Sequence, residues 1–138
     1  MFAAKKTLTL DGAKRLAAAA EQEARKNGWN VVIAIVDDGA NLIYLQRMDD
    51  AQLASIEVSV QKARAALLFK RPTKALEDTY MGGRPVIMAL ANAVPVEGGL
   101  PLSVDGKIIG AIGVSGVTSA EDGRIAKAAA DELARPLT

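Results

Sequence analysis

The sequence predicts an α+β fold in which helices pack on an antiparallel sheet. Three observations carry that expectation. Asp105-Gly106 divides two apolar runs, Leu100 to Val104 and Lys107 to Val114, and is a preferred pair for a type I′ hairpin turn. A second hairpin is marked where Asp37-Asp38-Gly39-Ala40-Asn41 separates Val31 to Val36 from Leu42 to Met48. Connections this short join antiparallel neighbours, and the other apolar residues recur at helical spacing. The order is therefore helix, hairpin, two helices, hairpin, helix. At 138 residues the chain reads as one domain, 1–138, long enough to bury a core without disulfides.

The first helix has its apolar face at Leu10, Ala13, Leu16, Ala17, Ala20 and Ala24, with Thr9 as N-cap and Gly28 just past its end. Alanines on that face allow close approach to a partner surface. Val31 to Val36 is apolar throughout, as a central strand covered on both faces requires. Asp49 or Asp50 is expected to cap a second helix with a stripe of Ile56, Val60, Ala63 and Leu67. Pro72 stops that helix, leaving Lys70 and Arg71 in its last turn, where cations offset the dipole. Thr73 opens a shorter helix through Tyr80, closed by Gly82-Gly83. Periodicity does not separate a helical turn from a strand over Pro85 to Ala91. Ser119 with Asp122 resembles a capping box, and a last helix on Ala126, Ala129, Ala130 and Leu133 ends at Pro136.

Composition excludes several function classes. The chain carries 17 Lys and Arg against 16 Asp and Glu, so it lacks the basic footprint of a nucleic-acid binder. Phe2, Trp29, Tyr44, Phe69 and Tyr80 are too few for base-stacking platforms. No apolar run is long enough to span a bilayer, and the N-terminus lacks the apolar core of a secretory signal, so a cytoplasmic location is expected. The chain has no His and no Cys. That removes disulfides, imidazole or thiolate metal ligation, and Ser-His or Cys-His nucleophiles. Asp37-Asp38 and Asp49-Asp50 lack calcium-loop spacing, so no metal site is expected.

What remains is acid, amine and guanidinium chemistry. Glu97 stands before Gly98-Gly99 and is flanked by apolar runs that include Leu100 and Pro101. A carboxyl in such a place can donate or accept a proton, or can simply hold the turn by accepting backbone N–H bonds. Lys62, Arg64, Lys70, Arg71, Lys74 and Arg84 are opposed in the same stretch only by Glu77 and Asp78. Lys62 falls near the Val60 and Ala63 stripe, where its ammonium can pass the apolar edge and meet a carboxylate or propionate. The bland reading is that these long cations cover apolar surface and cap a helix end. Gly110, Gly113 and Gly116 are not a dinucleotide fingerprint, because they fall partly inside a strand with only one helix after them. Glycines so placed mark close approach by another backbone. The candidate ligand-binding set is Lys62, Arg64, Glu97, Gly98, Gly99 and Pro101, with Glu97 as the candidate catalytic group.

Two blocks carry a family resemblance: NGWNVVIAIVDDGANLIYLQRMDDAQLASIEVSVQKARAALLFKRPT and VPVEGGLPLSVDGKIIGAIGVSGVTSAEDG. They resemble the GlcG/HbpS family of haem-degrading or haem-binding-like proteins, over about Leu8 to Leu133. The resemblance implies a sensory-domain-like sheet of about five antiparallel strands, assembled as dimers into larger oligomers such as octamers. It also implies haem as a possible cofactor. Many relatives carry a His after the first hairpin's glycine, where this chain reads Gly39-Ala40-Asn41; that departure argues against imidazole-ligated haem. Ligation would then fall to Tyr44, Tyr80, Met48, Met81, Met88 or a weaker oxygen ligand.

Three functions fit. The first is a homo-oligomeric module binding haem or another anionic organic ligand. The second is a cofactor-independent lyase, hydratase or isomerase, in which Glu97 moves a proton while Lys62 or Arg64 holds a substrate carboxylate. The third is an assembly protein without a ligand.

Overall fold

Thr9 starts the first helix as expected: its side chain accepts from the Gly12 N–H at 3.0 Å. The computed structural model describes residues 1–135. Helix α1 spans Leu10–Lys26, strands β1 and β2 span Val32–Asp37 and Leu42–Arg47, and helices α2 and α3 span Ser55–Phe69 and Thr73–Met81. A 3-10 turn over Pro85–Ala89 leads to strands β3, Gly99–Val104, and β4, Lys107–Ser115, and helix α4 covers Ser119–Ala134.

The sheet has the order β2-β1-β4-β3, with every pair antiparallel. The fold is α+β as expected, with four strands rather than about five. Asp105 and Gly106 both have positive φ, +52° and +77°, as a type I′ turn requires. β1 lies inside the sheet, and Val32 to Val36 are fully buried between the helical layers. On one face α1 and α4, the latter through Ile125, pack with Ile33, Ile35, Leu102, Ile112 and Val114 of the sheet. On the other, α2 meets Val36 and Ala111 through Ala63, Ala66 and Leu67.

A lane without bulky side chains fixes how α2 lies. Ala34, Gly113 and Gly99 are cross-strand partners on β1, β4 and β3. A Cβ at Gly113 would collide with the Ser59 carbonyl and stand 2.5 Å from the Ala63 nitrogen. A Cβ at Gly99 would collide with the Lys62 carbonyl. The backbone of α2 therefore rests directly on the sheet, and the glycines serve packing.

Several local expectations are corrected. Neither Asp49 nor Asp50 caps α2; Asp50 turns with φ +66°, and α2 begins at Ser55 without a side-chain cap. Of the expected α2 stripe Ala63 and Leu67 are buried, but Ile56 and Val60 are only half-buried; the rest of the buried face is Ser55, Ser59, Lys62, Ala65 and Ala66. Small residues win there because the sheet offers a lane that admits helix backbone. Lys70 is the left-handed C-cap, φ +55°, rather than a last-turn cation. Leu10 is exposed rather than inward. The capping box is Thr118 with Glu121, one residue before the expected Ser119 and Asp122. That shift frees Asp122 for the interior. Pro136, the expected stop for α4, lies outside the described residues.

Candidate functional site

The bend Glu97-Gly98-Gly99 is stitched to its surroundings by backbone bonds. The Gly99 N–H donates to Thr73 Oγ1 at 2.9 Å, the Glu97 N–H to Glu77 Oε1 at 3.1 Å, and the Val114 N–H to the Gly98 carbonyl at 2.9 Å. Gly98 has φ +135°, and a Cβ there would lie 2.6 Å from the Val114 oxygen and 2.7 Å from Lys62 Nζ. Only glycine meets both demands.

In front of this bend is a cavity of about 280 Å³ lined by Pro72, Lys74, Glu97, Gly98, Gly99, Leu100, Gly123 and Lys127. The Glu97 carboxylate lies across Gly123 on α4, close enough that a Cβ there would collide with Glu97 Oε2. Lys74, on α3, donates to Asp78 at 2.6 Å, and Lys127, on α4, donates to Asp131 at 2.9 Å. The Asp78 carboxylate, with smaller help from Glu77 and Glu97, raises the pKa of Lys74 above its ordinary value. Lys74 and Lys127 both line the cavity.

Behind the bend sits a buried ion pair. Lys62 and Asp122 are each 2 % exposed. Lys62 Nζ donates to Asp122 Oδ2 and to the Val114 carbonyl, both at 3.0 Å. The other oxygen, Asp122 Oδ1, accepts from the Val117 N–H at 3.1 Å. The expectation that the Lys62 ammonium passes the apolar edge to meet a ligand carboxylate is thus corrected: it turns inward to the carboxylate of Asp122.

Burial pushes the Asp122 carboxyl above its ordinary pKa, against the opposing pull of Lys62 and the Val117 N–H. The native state then binds this proton more tightly than the unfolded chain does. The stabilisation is complete below the unfolded carboxylate pKa and is lost as pH rises through the raised folded one. Glu21 and Glu132 act oppositely, since Arg25 and Arg15 hold their carboxyls below the ordinary value. Urea unfolding between about pH 4 and pH 7 is expected to show the advantage of wild type over Asp122→Asn shrinking as pH rises. A growing advantage contradicts this assignment.

The other candidates are placed apart. Arg64 is exposed and lines a separate cavity of about 250 Å³ with Gln61, Asn92, Ala93 and Val94. Pro101 pairs with Ala111 on the edge strand β3 and is not among the residues lining the Glu97 cavity. Sequence reasoning missed Gly123, Lys127 and Asp122. They lie on α4, remote in the chain from the bend, and no local pattern connects them to it.

Residues 8–131 match the family described as "Haem degrading protein HbpS-like". Protein GlcG of Escherichia coli strain K12 is 45% identical over 103 residues, which is 75% of this chain and 77% of that protein. Klebsiella pneumoniae protein ORFY has a similar crystal structure, TM-score 0.90 at 31% identity, covering 99% of each chain. A crystal structure of a PduOC–haem complex is similar with TM-score 0.83 at 31% identity, covering 91% of this chain and 94% of that one.

Proposed function

The chain belongs to the haem-degrading-protein HbpS-like family, and from that premise we propose that it binds an anionic organic molecule in the Glu97-Gly98-Gly99 cavity. One observation carries the reading: Lys74 and Lys127, on two different helices, line the same cavity as Glu97, the one acid among its lining residues. Lys74 donates to Asp78 and Lys127 to both oxygens of Asp131, each on its own helix, and an ammonium's three donors leave at least one on each for a ligand carboxylate. Leu100 and Pro72 supply apolar wall for the ligand's carbon skeleton.

Haem itself does not fit this cavity. A volume of about 280 Å³ is at the lower end for drug-sized ligands. No Tyr or Met lines it. Tyr44 and Met48 belong to the core, and Tyr80, Met81 and Met88 lie elsewhere, on α3 and the 3-10 turn. Haemin titration is expected to give spectra that do not saturate. A Soret band saturating at one haem per chain contradicts this part of the reading.

The binding test is an NMR titration with acetate, malonate, succinate and benzoate. At least one is expected to shift the Gly98, Gly99 and Gly123 amides along one saturating curve. Gly123→Ala sharpens the test, because its methyl would displace the Glu97 carboxylate, a flexible group that can swing aside. The helix gains up to about 1 kcal/mol from the substitution. Thermal unfolding is therefore expected at or above the wild-type temperature, while affinity for the carboxylate probes shifts as the like-charged Glu97 carboxylate leaves its place. Unchanged affinity removes Glu97 from the site.

A second reading uses the same cavity. Among the described residues no hydrogen bond reaches the Glu97 carboxylate, so it is free to move a proton in a lyase, hydratase or isomerase step. Such a group supplies roughly 10²–10⁴-fold, and Glu97→Gln should remove that factor from any turnover found.

Self-association belongs to the proposal. Tyr80, Met81, Val86, Met88 and Leu90 are exposed along α3 and the 3-10 turn, an apolar surface suited to a second copy. Dimers built there, assembling further toward an octamer, are expected by light scattering. The double substitution Met81→Asp with Val86→Asp should lower the mass, and a wild-type monomer at 14.4 kDa contradicts the idea. No helix among the described residues is long and apolar enough to cross a membrane; a cytoplasmic location completes the proposal.

A further inference from the structure

Two walls of the cavity come from parts of the chain that share no backbone hydrogen bond at this point. One is the Glu97-Gly98-Gly99 bend, and the other is the start of α4, with Gly123 and Lys127. A continuous chain of polar contacts joins them. Asp122, the residue before Gly123, holds Lys62 Nζ; Lys62 Nζ holds the Val114 carbonyl; and the Val114 N–H holds the Gly98 carbonyl. Lys62 Nζ also lies against Gly98, where any side chain would displace it.

We propose that Lys62 and Asp122 form a positioning pair that ties the bend to α4 and so sets the spacing between Glu97 and Lys127. The chemistry favours such a role over simple stabilisation. A buried ion pair gains little over well-packed apolar residues of similar volume, because desolvation offsets the attraction. What apolar residues cannot supply is the directed bond to the Val114 carbonyl and the fixed distance between the two walls. Lys62 touches no ligand in this account. It acts on affinity through the geometry of Gly98.

The inference rests on reading the cavity as the binding site, but its test needs no ligand. Amide hydrogen exchange is compared between wild type and the double variant Lys62→Met with Asp122→Leu, which removes both charges together. Exchange at Gly98, Gly99 and Gly123 is expected to quicken by about tenfold or more, while Ile33 and Ile112 in the sheet keep their protection. Equal change at all amides, or none at the bend, overturns the proposal, since a purely structural pair acts globally. Asp122→Asn is the second variant, because it keeps the side chain's size and one of the two acceptor contacts while removing the charge. It is expected to give a smaller rise confined to the same amides. If neither variant folds, the pair is structural and the proposal is wrong.

Discussion

Replacing Asp122 with alanine is expected to lower the unfolding free energy by about 3–5 kcal/mol. The substitution leaves the Lys62 ammonium 2 % exposed with only the Val114 carbonyl to satisfy it. It also strips the Val117 N–H of its acceptor at the entry to α4. Domains of this size are held by about 5–15 kcal/mol, so the loss would take a large share of the total. Chemical denaturation followed by circular dichroism measures it. A loss below about 1 kcal/mol would mean that the pair is solvated in the native ensemble, as surface pairs are. The double variant Lys62→Met with Asp122→Leu should recover much of this loss, because neither charge is then stranded.

Gly113→Ala is the second large effect. Its methyl has no flexible neighbour to push aside: it would meet the backbone of α2 at Ser59 and Ala63. Either α2 lifts from the sheet or β4 bends, and overpacking of this kind costs about 1–3 kcal/mol, occasionally more. Lifting α2 also disturbs Gly99, which touches the Lys62 carbonyl, and so loosens the bend. The variant is expected to unfold at a lower denaturant concentration and to bind the carboxylate probes more weakly. Gly39→Ala is the matched control. Its methyl would meet side-chain atoms of Asn41 and Asp37 in an exposed turn, where adjustment is easy. Equal stability of Gly113→Ala and Gly39→Ala would contradict the close seating of α2.

The strands and hairpins were legible in the sequence because their signals are local. Asp105-Gly106 demands left-handed angles that few other pairs accept, and Val31 to Val36 reads as buried from composition alone. Helix α2 was legible as a helix but not in its orientation. Periodicity points to Ile56 and Val60, whereas the sheet presents a lane at Ala34, Gly113 and Gly99 that only small residues and backbone can enter. The face of a helix is chosen by its partner surface, and that surface comes from strands far along the chain. The same limit explains the site. Glu97-Gly98-Gly99 stood out because an acid before two glycines is unusual locally. Its companions on α4 did not, since Gly123 reads as an ordinary helix defect and Lys127 as a solvated cation. Asp122 reads as part of a cap because its spacing from Ser119 fits; the cap sits one residue earlier, which turns Asp122 inward toward Lys62.

The claim on which the functional reading stands is that an organic anion occupies the hollow between the Glu97 bend and α4. The most direct measurement is crystallographic density from protein isolated without exchange from the cells that make it, compared with crystals carrying the carboxylate probes. The account predicts density between Lys74 and Lys127, within reach of Glu97. Ligand density seated only at Arg64 or at the exposed apolar stretch around Met81, with this hollow closed by its own side chains, contradicts it.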